Sequence, residues 1–139
     1  MKNSILIFLL SCIFVSCNDQ VKTKFKDYKI AEENKFFEKG WIPKNLIYES
    51  MTNIYLQNNL DLNSAFFSYN LSSPDLDNLK TKIKKTSFDY RNPKRVNVPN
   101  ELSNKLSKSE IFYIFENGDT TYISIEKESK KVFGWKYGK

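Results

Sequence analysis

The chain has 139 residues, with 22 Lys and Arg against 16 Asp and Glu, a formal net charge of +6 and no histidine. Its two cysteines, Cys12 and Cys17, both fall near the start. Without imidazole, and without a thiol beyond Cys17, it lacks the groups for Ser-His-Asp or Cys-His catalysis and for zinc or copper sites built on imidazole or thiolate.

The opening MKNSILIFLLSCIFVSCNDQ has the layout of a secretory signal: Lys2 as a positive start, an apolar run from Ile5 to Val15, and the small Ser16 at its end. As a helix at about 1.5 Å per residue the run spans roughly 18 Å, short of the bilayer core of about 30 Å. It ends Phe14-Val15-Ser16-Cys17, which resembles the lipobox of bacterial lipoproteins. Cys12 follows Leu9-Leu10-Ser11, a match by letter. Cutting there would shorten the apolar core to about seven residues, the lower limit for a signal. The resemblance implies that residues 1–16 are removed and that Cys17 carries the lipid, palmitate among its acyl chains. Two or three such chains hold a protein stably on a membrane without spanning it. The alternative is a secreted protein cut near Ser16 with no lipid. The lipoprotein reading places the protein in the cell envelope, on the periplasmic or surface face of a bacterial membrane.

Removing Lys2 takes the charge from +6 to +5. Export argues against a nucleic-acid partner, and abundant Lys, Asn, Ile, Phe and Tyr fit an AT-rich coding sequence. Residues 17–27 are predicted as the lipidated N-terminus and a tether, with Lys22, Lys24 and Lys26 in solvent or on anionic headgroups at about 1 kcal/mol each. Residues 28–139 are predicted as one small α+β domain. Its expected core element is a mostly antiparallel sheet of about five strands, with two or three helices packed on one face.

In chain order, Tyr28 to Lys39 reads as a helix closed by Gly40, with Ile30, Phe36 and Phe37 inward. Asn45 is a predicted cap for a short helix of Leu46 to Thr52. Ile54 to Gln57 and Ser64 to Leu71 read as strands around an Asn- and Asp-rich turn. The strongest helix signal follows: Ser73 as cap, Pro74 in the first turn, Asp75 and Asp77 at the positive end, and Leu76, Leu79 and Ile83 on one face. The proline-containing stretch 91–108 reads as a loop with a helical turn near Glu101 to Leu106. Residues 111–137 read as a three-stranded antiparallel meander with a turn at Asn117-Gly118. Alternation puts Thr121, Ile123, Ile125 and Phe133 toward the core, with Tyr122, Ser124 and Glu126 toward water. The final strand is predicted at a sheet edge.

Gly40-Trp41-Ile42-Pro43, followed by Leu46, Ser50 and Asn53-Ile54, with a terminal strand Lys131 to Tyr137 bearing a tryptophan, resembles small bacterial domains of unknown function. The resemblance implies an order of elements and no chemistry. No catalytic residue, metal site or cofactor is predicted. Contacts to a protein or glycan partner are expected at exposed aromatics, Tyr122, Trp135 and Tyr137, and at the basic loop residues Arg91 and Arg95, whose planar guanidinium groups grip anions in pairs. An inhibitor or immunity role would be one form of such binding. Asp119-Thr120-Thr121 resembles a short O-glycosylation acceptor. The alternative function is a small cell-wall glycan hydrolase using two of Asp61, Glu116, Asp119 and Glu126, which requires two carboxyl groups across a shared cleft, one of them desolvated.

Overall fold

The computed structural model describes residues 20–85 and 110–136. They form one sheet of seven strands in the order β1-β2-β3-β7-β6-β5-β4, every neighbouring pair antiparallel. The strands are β1 (Gln20–Asp27), β2 (Thr52–Asn59), β3 (Ser64–Asn70), β4 (Lys84–Lys85), β5 (Ile111–Glu116), β6 (Asp119–Glu126) and β7 (Lys131–Lys136). Six of these run six to eight residues, and β4 is a two-residue edge.

The expectation of about five strands under two or three helices is therefore corrected. Among the described residues only α2 (Ser73–Lys82) has real length, and α1 (Tyr28–Glu33) is six residues. The rest of the described cover is irregular chain with two three-residue 3-10 turns, Phe37–Lys39 and Lys44–Leu46. The first predicted helix breaks because Lys35 turns to φ 53, which reverses the chain, buries Phe36 and leaves Ile30 exposed. Gly40 does close the following turn, at φ 70. The second predicted helix, Leu46 to Thr52, does not form: the 3-10 turn Lys44–Leu46, with Leu46 N–H on the Pro43 carbonyl at 2.9 Å, ends where that helix is predicted to begin, and Ile47 is already extended.

The lysine-rich segment read as a tether is strand β1 from Gln20 onward, paired with β2 along its length. Val21, Thr23 and Phe25 alternate with Lys22, Lys24 and Lys26, a period-2 pattern in which Phe25 packs against the core, Val21 at the strand's start stays exposed, and the lysines guard a sheet edge.

Helix α2 starts one residue earlier than expected. Ser72 is the cap, its Oγ accepting from Asp75 N–H at 3.4 Å, and Pro74 lies in the first turn, where a missing N–H costs nothing. Leu76, Leu79 and Ile83 are buried as predicted. They join Ala31, Phe36, Ile42, Leu46 and Met51 above Ile54, Leu56, Phe67, Tyr69, Ile123 and Val132 on the first face of the sheet. Tyr69 donates its hydroxyl to the Leu46 carbonyl at 3.0 Å, and burial pushes its ionisation far above the ordinary tyrosine range.

The terminal meander is present, with Asn117 at φ 53 and Gly118 at φ 85 in the tight turn that a right-twisted hairpin prefers. Its last strand is not an edge. β7 lies between β3 and β6, and its central residues Val132, Phe133, Gly134 and Trp135 are buried on both faces. Phe133 accordingly leaves the Ile123 side: it pairs with Ser124 and joins Phe66 and Trp135 in a second cluster on the opposite face. Gly134 is required where it stands, because a Cβ there would fall within the ring of Phe67. Ser124, expected in water, is buried.

Candidate functional site

Two regions of the sheet bring together side chains suited to binding. The first is an aromatic ladder on the second face. Tyr55 meets Phe66 edge-on at 6.2 Å, Phe66 lies near-parallel to Phe133 at 6.4 Å, and Tyr122 lies near-parallel to Trp135 at 6.1 Å. Lysine stems extend across it, Lys24 Nζ at 5.8 Å from the Tyr55 ring centre and Lys131 Nζ at 5.3 Å from that of Phe133. Trp135 is only 2% exposed, so it is a packing residue and not the predicted contact. Tyr122 is half-buried against it. Tyr137, Arg91, Arg95 and Cys17 lie outside the described residues, as do Cys12 and the turn expected near Glu101 to Leu106.

The second region is a groove of about 410 Å³ between the Gly40-Trp41-Ile42-Pro43 loop and the β5–β6 turn. Phe37, Ile42 and Pro43 supply its apolar lining, and Glu38, Glu116, Asp119, Lys44 and Lys136 its charges. Two contacts hold the loop on the sheet. The Glu116 carboxylate accepts from the backbone N–H of Lys44 with one oxygen and from that of Asn45 with the other, each at 3.2 Å. These are orphan donors at the start of a helical turn that has no side-chain cap of its own, and a remote carboxylate satisfies them. Lys136 donates to the Gly40 carbonyl at 3.0 Å and lies 5.5 Å from the Trp41 ring centre, a cation over an aromatic face.

Of the four carboxylates singled out in the sequence, Glu116 and Asp119 share this groove. Asp61 sits in the β2–β3 turn and Glu126 at the other end of β6, where it accepts from Ser129 Oγ at 2.5 Å. Glu116 spends both oxygens on backbone N–H groups, and Asp119 and Glu38 are exposed at the groove's rim. Among the described residues no group of three or more Asp, Glu, Cys or His is placed to hold a metal ion, and no helix is long and apolar enough to cross a membrane.

The sequence flagged the Gly-Trp-Ile-Pro stretch and Glu116 separately, and nothing in it joined them. The only available signal was the capless turn after Pro43, which required an acceptor from elsewhere.

Among the described residues, fold and groove together define a small domain built on one antiparallel sheet, with a single helix of real length and a loop clamped across one end. The family model described as the YbbD head domain matches residues 19–70, from just before β1 to the end of β3 and including the clamped loop. That is a little over a third of the chain. No curated protein and no solved structure matches it.

Proposed function

We propose that the protein is an exported lipoprotein, held on a bacterial membrane through acylated Cys17, and that its domain binds a protein or glycan partner without catalysing a reaction. The observation that carries the binding reading is the groove beside the Gly-Trp-Ile-Pro loop. It offers an apolar lining, lysines at Lys44 and Lys136 and exposed carboxylates at Glu38 and Asp119, while its inner carboxylate, Glu116, is committed to the backbone. Such a surface suits a polar partner segment with alternating charge, and an inhibitor or immunity role for this chain, with the partner an enzyme, is one form of that binding. The anchor reading rests on the signal layout and the Phe14-Val15-Ser16-Cys17 sequence.

Photocrosslinking in cells tests the binding reading. A photoreactive residue at Asp119 should capture a partner that the same residue at Lys127, in the β6–β7 turn, does not, and Lys44→Glu should abolish the capture. Equal capture from both positions would remove the groove from consideration. Cleavage of purified cell-wall glycan by the wild-type chain, lost in Glu116→Gln, would replace the binding reading with the hydrolase. For the anchor, Cys17→Ser should release the protein from carbonate-washed membranes or leave its signal uncut, and Cys12→Ser should change neither. Equal retention of the two variants would end the lipoprotein assignment.

A further inference from the structure

Five large apolar side chains are exposed among the described residues, and three of them, Val21 at 47%, Leu60 at 60% and Leu62 at 56%, belong to one corner of the sheet. The register places them there: Gln20 pairs with Asn59 and Val21 with Asn58, so the start of β1 runs beside the β2–β3 turn that carries both leucines. Single exposed apolar residues are ordinary on a protein surface, but a cluster on a tightly held turn is a different observation. The turn is fixed by its own hydrogen bonds. Leu62 N–H donates to Asn59 Oδ1 at 3.0 Å, Asn63 N–H donates to the Leu60 carbonyl at 3.2 Å, and Asn63 takes the left-handed conformation at φ 44. Neither leucine packs into the core clusters.

We propose that this corner is a lipid contact, with Leu60, Leu62 and Val21 seated in the outer layer of the bilayer that holds the acyl chains. The inference rests on the lipoprotein reading, since its geometry begins at Cys17. Only Asn18 and Asp19 stand between Cys17 and Gln20, the first residue of β1, and three residue steps of extended chain at about 3.3–3.6 Å each keep the Cα of Cys17 within roughly 11 Å of that of Gln20. An anchor that short brings this corner to the membrane before any other part of the sheet. Apolar side chains on a rigid turn then bury area without ordering a flexible segment, and Asp61 and Lys22 carry opposite charges at headgroup depth. The consequence is an oriented domain: the β6–β7 turn, at the other end of the strands, points into solvent.

The test uses the full acylated chain in vesicles of phosphatidylethanolamine and phosphatidylglycerol. An environment-sensitive fluorophore is attached at Leu62→Cys or, as the distal control, at Lys127→Cys, and quenched by nitroxide-labelled lipid. Quenching at Leu62→Cys should exceed that at Lys127→Cys at least threefold. A probe at Val21→Cys should lose at least half of its quenching when Leu60→Ser and Leu62→Ser are combined, although the short anchor keeps it above the distal level, and unchanged quenching there overturns the lipid contact. Equal quenching at both ends, in a chain that floats with the vesicles, overturns the lipid contact and leaves the anchor standing. A chain that fails to float overturns both. Shielding of the Leu62→Cys probe that survives in detergent and rises with protein concentration would assign the corner to a second copy of the chain, again overturning the lipid contact.

Discussion

The two faces of the sheet solve the same burial problem by different means. On the first face, α1, α2 and the irregular chain between them lay Phe36, Leu46, Met51, Leu76 and Leu79 over Ile54, Leu56, Phe67 and Ile123. On the second, Phe66, Phe133 and Trp135 are buried with Tyr55, Ile111 and Tyr122 as neighbours, and the lysine stems of Lys24 and Lys131 extend over the aromatic rings. Large flat rings on neighbouring strands can shelter one another, because each covers 150 Å² or more of surface by order of magnitude. Long aliphatic stems ending in charge extend the shelter while staying wet at the tip. A sheet can thus bury central aromatics on a face that no described helix occupies.

The sharpest challenge to this comparison is Phe66→Ala, since Phe66 is fully buried on the second face. If ladder packing equals core packing, urea unfolding should show a loss of about 3–5 kcal/mol. A loss below about 1 kcal/mol would make the second face a surface patch. Leu79→Ala provides the reference on the first face, with an expected cost of about 2–5 kcal/mol; an effect under about 0.5 kcal/mol would mean that α2 is not tied to the sheet. Gly134→Ala probes the contact between β3 and β7 and should cost about 1–3 kcal/mol from overpacking against Phe67. Phe67→Leu in the same chain should recover part of that cost, and a strictly additive pair would contradict the close approach.

Raising pH separates the faces in another way. Tyr69 on the first face is held neutral by burial, so its folded-state ionisation lies above that of the unfolded chain near 10.0. The stability this contributes is complete below pH 10 and is lost as pH rises past it, because the unfolded chain then releases a proton that the folded chain keeps. The expected slope from Tyr69 is about 1.4 kcal/mol per pH unit. Tyr69→Phe should flatten the curve above pH 10 by that amount, and an unchanged slope would argue against a buried neutral hydroxyl. The smallest effect belongs to Tyr122→Ser, which removes the ring stacked near Trp135 and should cost about 1 kcal/mol. Partner capture from Asp119 should survive that change, because Tyr122 lies outside the groove.

Local chemistry was legible in the sequence and pairing was not. Ser73, Pro74 and Asp75 announced α2 to within one residue, and Asn117-Gly118 announced the β5–β6 hairpin, because caps and tight turns depend on neighbours in the chain. Strand β1 is hard to read because Lys22, Lys24 and Lys26 make the segment resemble solvated chain, and the alternation with Val21, Thr23 and Phe25 gains its meaning only from pairing with β2. The place of β7 was missed because it depends on a partner, β3, some sixty residues earlier. A signal was nonetheless there: Val132-Phe133 and Trp135 put large apolar groups on both parities, which suits a strand covered on both sides and not an edge. The groove was invisible for the same reason, since Glu116 reaches Lys44 and Asn45 across more than seventy residues.

The placement of β7 also sets a schedule. The β1-β2-β3 strip and the β6-β5-β4 strip share no ladder with each other, and β7, the last of the seven strands along the chain, is the strip that joins them. A growing polypeptide that has not yet supplied Lys131–Lys136 owns two half-sheets with unpaired inner edges, and non-local pairing of this kind is slow to form. The same delay leaves both inner edges open to neighbouring chains, so a stop codon before Lys131 should yield aggregate and not a smaller domain.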